Sequence, residues 1–134
     1  MLLVISPFDA DHASIRNAIP TGDCPVSVAP TAHEGLAFLR RQAARIVVTE
    51  RDLPDGNWRQ VLDALRPLTP APLLIVASRH ADERLWAEVL NLGGYDVLSK
   101  PFDPQELSRV LHLACAHPGY HVSSAADAWA LTYG

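Results

Sequence analysis

Polar side chains able to do chemistry stand directly after apolar runs. Ser6 follows Leu2-Leu3-Val4-Ile5, Glu50 closes Ile46-Val47-Val48-Thr49, Ser78 follows Leu73–Ala77, and Lys100 follows Tyr95–Ser99. A carboxylate and an ammonium brought into one pocket pair, because two lone charges there are costly. A second group, His112, Cys115, His117 and His121, has the residue types of a metal site. Pro118-Gly119 breaks the helix that would put His117 and His121 on one face, so no metal is expected from that group. The chain holds no glycine-rich phosphate loop, nucleophile elbow or Cys-x-x-Cys, which leaves nucleotide, hydrolase and thioredoxin-type chemistry unsupported.

The elements that must position these residues follow from length and composition. At 134 residues the chain has room for one domain, or one with a tail. With 49% apolar and 19% charged residues, it is not intrinsically disordered. A net charge of −4 argues against a nucleic-acid binder, which needs a concentrated basic face; Arg40, Arg41 and Arg45 are the densest basic cluster. Cys24 and Cys115 are too few for a disulfide scaffold and read as reduced core residues. No apolar run approaches the length of a membrane span or signal-peptide core, so a cytoplasmic protein with no membrane partner is expected.

Hydrophobic periodicity alternates regularly between strand and helix. Leu2–Ile5, Val26–Ala29, Ile46–Thr49, Leu73–Ala77 and Tyr95–Ser99 read as strands, and the continuous apolar runs among them suit strands buried on both faces. Between them lie amphipathic stripes: Ile15, Ala18, Ile19; Ala32, Leu36, Leu39, Ala43; Trp58, Val61, Leu62, Leu65; Leu85, Val89, Leu92; and Leu107, Val110, Leu111, Ala114. Asp9 or Asp11, Thr31 with Glu34, Asp82, and Asp103-Pro104 open helices, while Pro20-Thr21-Gly22 and Gly93-Gly94 end them. This order predicts an α/β fold, a (βα)5 doubly wound five-stranded parallel sheet of flavodoxin-like order 2-1-3-4-5, over residues 1–117. Residues 118–134 read as a C-terminal tail or a short extra helix after Ser123-Ser124. In such a sheet the site lies at the carboxyl ends of the strands, where Ser6-Pro7, Glu50, Ser78 and Lys100 fall.

These residues resemble the receiver domain of two-component response regulators. Glu50-Arg51-Asp52-Leu53-Pro54 with Gly56 is similar to the phosphoacceptor turn, Ala77-Ser78 to the switch hydroxyl, and Lys100-Pro101-Phe102 to the Lys-Pro-Phe motif with its usually cis bond. The resemblance implies a bacterial phosphorelay module in which a strand-end aspartate takes a phosphoryl group beside Mg²⁺ held by an acidic pair. The hydroxyl and lysine then grip the acyl phosphate and draw two loops into the active arrangement.

Departures fall at the demanding positions. Ser6-Pro7 stands where the acidic pair belongs, and Glu50 where the acceptor aspartate belongs. A misplacement of about 1 Å can slow such a transfer on the order of a hundredfold. Pro54-Asp55-Gly56 is two residues shorter than the family's usual loop. Val97 occupies the position of the switch aromatic, and valine cannot swing as tyrosine does. Glu50 has two readings, a partial mimic of the phosphorylated state or simply the ion-pair partner of Lys100. Asp52 is a weak metal candidate, better read as a turn residue. Asp9 and Asp11 are better read as N-caps of the first helix than as substitutes for the acidic pair.

The expectation is therefore an atypical receiver: not an enzyme, holding no cofactor, with Mg²⁺ lost. It would act by phosphorylation-independent contacts with a sensor kinase or downstream regulator. Trp86, one position off its helix's buried stripe, is the candidate interface residue. The resemblance implies a homodimer through the fourth helix, fifth strand and fifth helix. Two alternatives stay open: a working phosphoacceptor using Glu50 or Asp52 with an unusual metal site, and a purely structural oligomerisation domain.

Overall fold

The computed structural model describes residues 1–19 and 24–116. The expected helix stop at 20–22, His117, His121 and the 118–134 tail lie outside them. Along the chain come β1 (Leu2–Ile5), α1 (Asp9–Ala18), β2 (Val26–Ala29), α2 (Ala32–Arg41) and β3 (Ile46–Glu50). A two-residue hairpin follows, β4 (Asp52–Leu53) and β5 (Gly56–Asn57), and then α3 (Trp58–Leu65). β6 (Leu73–Ser78), α4 (Glu83–Leu92), β7 (Asp96–Ser99) and α5 (Pro104–Ala116) complete the order.

The main sheet has strand order β2-β1-β3-β6-β7, all parallel. Counting only its own strands, this is the expected 2-1-3-4-5. Every residue of β1 and β3 is buried, because helices cover both faces and no side of these strands meets water. Leu3, Ile5, Val47 and Val76 face a layer that includes Trp58, Val61, Leu62, Leu65, Leu85 and Val89 from α3 and α4. Leu2, Val4, Ile46, Val48 and Ile75 face Ile15 of α1 and Leu107, Val110, Leu111 and Ala114 of α5. α2 lies so close to β1 that a Cβ on Gly35 would sit 2.5 Å from Ile5 Cδ1.

Helix ends are set by local chemistry. Thr31 accepts from the Glu34 amide at 3.1 Å, Asp82 from the Leu85 amide at 2.9 Å, and Asp103 from the Gln105 amide at 3.0 Å. Gly93, at φ 106°, supplies the left-handed residue that ends α4. Three expectations are corrected. Ala43 lies beyond the end of α2 and is exposed, and Leu36 is only half-buried. Ala32 is buried and Leu39 packs against the core as expected, joined by Gly35 and Phe38. Leu92 is exposed, because α4 ends there and its last turn has left the core. Finally, α1 begins after Phe8 with no side-chain cap, so neither Asp9 nor Asp11 serves as one.

Candidate functional site: a lysine between two carboxylates

The parallel sheet delivers four strand ends to one edge. Glu50 ends β3, Ser78 ends β6, Ser6 follows β1, and Lys100 follows β7. The Lys100 amide donates to the Ser78 carbonyl at 2.9 Å, and the Lys100-Pro101 peptide is cis, as the motif led us to expect. Lys100 points inward, with only 6% of its side chain exposed.

Its ammonium meets two carboxylates. Glu50 Oε2 is in ion-pair contact with Nζ, and Asp11 Oδ2 accepts from Nζ at 2.9 Å. The two acidic side chains are only 10% and 9% exposed. Ser6 Oγ donates to the same Asp11 oxygen at 2.7 Å and accepts the Phe8 amide at 3.1 Å. The Phe8 ring lies over the ammonium, 4.6 Å from Nζ to its centroid, a cation–π arrangement. His12, one residue on, has Nε2 2.7 Å from the Ser6 carbonyl. A carbonyl only accepts, so Nε2 carries the proton there.

Asp11 is therefore a member of the site, which corrects its reading as a cap. The signal was present in the sequence. Asp11 precedes the buried Ile15 by four residues, one helical turn, so it belongs to the stripe of α1 that faces the protein. A carboxylate on a buried stripe needs a cation, and Lys100 provides it.

Burial pushes the Glu50 carboxyl above its ordinary value, the Lys100 ammonium pulls it down, and the charges of Asp11 and Asp52 push it up again; the balance is upward. One cation thus serves two carboxylates. Ser78 is buried, and its hydroxyl accepts the His80 amide at 3.0 Å. Val97 is buried in β7 against Val76 of β6.

The loop after β3 is more ordered than its sequence suggested. β4 and β5 pair Asp52 with Asn57 and Leu53 with Gly56, so Pro54 and Asp55 form the tip. Asp52 is exposed, 4.0 Å from Arg51, and does not join the Lys100 cluster. Asp55 reaches across to α2, where its carboxylate accepts the Ala32 amide at 2.8 Å and the His33 amide at 2.9 Å. Those two hydrogen bonds, the one from His33 foremost, hold its pKa below the ordinary value. Asn57 and Gln60 form a reciprocal capping box at the start of α3. No local motif signalled the Asp55 contact, because its partners are over twenty residues away in the chain.

Among the described residues, no group of three or more His, Cys, Asp or Glu side chains is arranged to hold a metal ion. None of their helices is long and apolar enough to cross a membrane. Trp86 is 51% exposed on α4, as its position off the stripe predicted. It borders a cavity of about 340 Å³ lined also by Asp82, Glu83, Asp96, Glu106 and Arg109.

Comparison with known proteins agrees with this geometry. A protein of Leptolyngbya boryana, described as an uncharacterized 14.6 kDa protein in the sodA1 3' region, is 32% identical over 92 residues, covering 67% of this chain and 70% of that protein. The photosynthetic apparatus regulatory protein RegA of Rhodobacter capsulatus is 26% identical over 110 residues, covering 82% of this chain and 60% of RegA. The chain also spans half the length of the KDP operon transcriptional regulatory protein KdpE of Escherichia coli. The chemotaxis response regulator CheY4 of Vibrio cholerae superposes with a TM-score of 0.75 at 16% identity, over 84% of this chain and 96% of CheY4. The beryllofluoride-activated NtrC4 receiver domain dimer gives 0.77 at 19% identity, over 86% and 95% of the respective chains. The profile of the response regulator receiver domain matches residues 8–112. With the parallel sheet, the strand-end lysine and its cis proline in the expected places, the chain belongs to the response regulator receiver domain family of two-component systems.

Proposed function

We propose that this receiver domain signals through protein contacts without being phosphorylated, and that its site rests in one ion-paired state. The observation that carries this reading is the engagement of Lys100 by both Asp11 and Glu50. In a working receiver the lysine grips an acyl phosphate, and Mg²⁺ is held by carboxylates. Here the two buried carboxylates face the ammonium, Ser6 and Pro7 offer no acidic ligand, and Phe8 covers the cation. Magnesium does not fit this set of residues. Glu50 extends one methylene farther than an aspartate and is spent on Lys100, which makes it a poor nucleophile toward phosphorus.

The domain is thus not an enzyme and carries no cofactor. It acts in the cytoplasm on a sensor kinase, a downstream regulator or a second copy of itself. Exposed Trp86 and the neighbouring α4–β7–α5 surface support that face as the contact region. The test is incubation with acetyl phosphate and Mg²⁺ followed by intact-mass measurement. The expected spectrum is unchanged, and a stable added phosphoryl group would overturn the proposal. With a captured partner in hand, Glu50→Ala should leave affinity unaltered; a loss of binding would instead make Glu50 a mimic of the phosphorylated state.

A further inference from the structure

The two cysteines lie far apart in sequence and close in space. α5 runs back across the sheet, so its last turn, carrying Cys115, reaches the edge where the strands begin. Cys24 stands at that same edge, two residues before β2, beside Pro25, whose carbonyl accepts the Leu2 amide at the start of β1. Both side chains are half-buried and pack against the same apolar layer beneath α1 and α5. Cys24 is near enough to Cys115 to perturb its thiol directly. This edge is opposite the Lys100 site, so neither the site nor the proposed function accounts for the pair.

We propose that Cys24 and Cys115 are an oxidisable dithiol, converted by a peroxide into an intramolecular disulfide that ties the end of α5 to the approach of β2. The Cys24 thiolate attacks the peroxide, forming an S–O bond as the O–O bond breaks; hydroxide leaves and takes up the thiol proton as water. The Cys115 sulfur then attacks the Cys24 sulfenic acid, forming the S–S bond as the S–O bond breaks and a second water departs. Two thiols and one hydrogen peroxide thus yield one disulfide and two waters. Burial, and then neighbouring Cys24, push the Cys115 thiol up, while Arg45 and the amino terminus pull it down. A thiol raised in this way suits the second, resolving step, since thiolate character governs which sulfur meets the oxidant first. Half-burial of both sulfurs admits a small peroxide and disfavours a second protein chain.

The test uses the full chain, reduced, desalted and treated with hydrogen peroxide, then alkylated under denaturing conditions and weighed intact. The expected product is a monomer lighter than the reduced chain by two hydrogens, about 2 Da, with no alkyl group added and with its thiols restored by dithiothreitol. Peptide mapping should join the segments holding Cys24 and Cys115. Cys24→Ser and Cys115→Ser should each abolish that species. Full alkylation of both cysteines after peroxide, a cross-linked dimer as the main product, or sulfinic and sulfonic acids without a disulfide would overturn the proposal. The wild-type spectrum decides even where a serine variant folds poorly.

Discussion

Two ion clusters in this domain use the same chemistry under opposite conditions. Lys100 sits almost fully buried between Asp11 and Glu50, whereas Arg59 of α3 meets Glu88 of α4 at 2.6 Å with more than half its side chain in water. The exposed pair can dissolve into solvent at little loss, because water and salt screen it. The buried trio has no such exit. Removing Lys100 leaves two carboxylates stranded where solvation is poor. What positions residues in the site is therefore the cost of breaking it, while the α3–α4 link is a surface contact between helices already packed by Trp58, Val61, Leu85 and Val89.

The sharpest way to break this contrast is Lys100→Met. Two buried carboxylates then lose their only shared cation, and at neutral pH the domain should lose about 3–5 kcal/mol in denaturant unfolding. The loss should shrink in acid, where Glu50, its pKa raised by burial, takes up a proton. A neutral-pH loss no larger than that of a surface substitution would show that the trio is solvated after all.

Glu50→Gln acts in the other direction. Burial raises the folded-state pKa of Glu50 above the ordinary 4.5, so the fold favours its protonated form. The wild-type domain then loses stability as pH climbs from about that ordinary value through the folded pKa. Glutamine cannot ionise, and Lys100 keeps Asp11. The variant should match the wild type below pH 4.5 and melt higher at neutral pH. Thermal midpoints across that range check it, and a variant that melts lower at neutral pH would mean that the Lys100 attraction outweighs burial.

Asp55→Ala should have a smaller effect of opposite sign. Its amide hydrogen bonds depress the Asp55 pKa below the ordinary 3.8, so their contribution is present above that value and fades as pH falls through the depressed one. The variant should melt slightly lower at neutral pH, with more rapid amide exchange at Ala32 and His33, and should converge with the wild type in strong acid. Smallest of all is Arg59→Ala, expected to leave the thermal midpoint within experimental scatter, with whatever difference exists vanishing at high salt.

Much of the fold was legible in the sequence because each element carried its own punctuation. The α3 and α5 stripes and the caps at Thr31, Asp82 and Asp103 are local patterns, and local patterns survive folding. Leu92 and Ala43 misled because a stripe does not reveal where its helix stops lying on the sheet. In the site, Glu50 and Lys100 were found because strand ends in a parallel sheet converge by construction. Asp11 was missed because an aspartate near a helix start is so often a cap that its place on the Ile15 stripe was outweighed. The β4–β5 hairpin and the reach of Asp55 to α2 depend on contacts between distant segments, and no short motif encodes them.

That reach has a mechanical side. The hairpin tip is a strut, fastened at its far end to the first turn of α2. α2 and α4 lie in the same helical layer with α3 between them, on the face opposite α1 and α5. Any displacement of the hairpin must either drag α2 along or unfasten two of its leading amides. A rearrangement beginning beside Glu50 would therefore surface at α2 as well as at the tryptophan-bearing helix, giving the domain a second place from which its state could be felt.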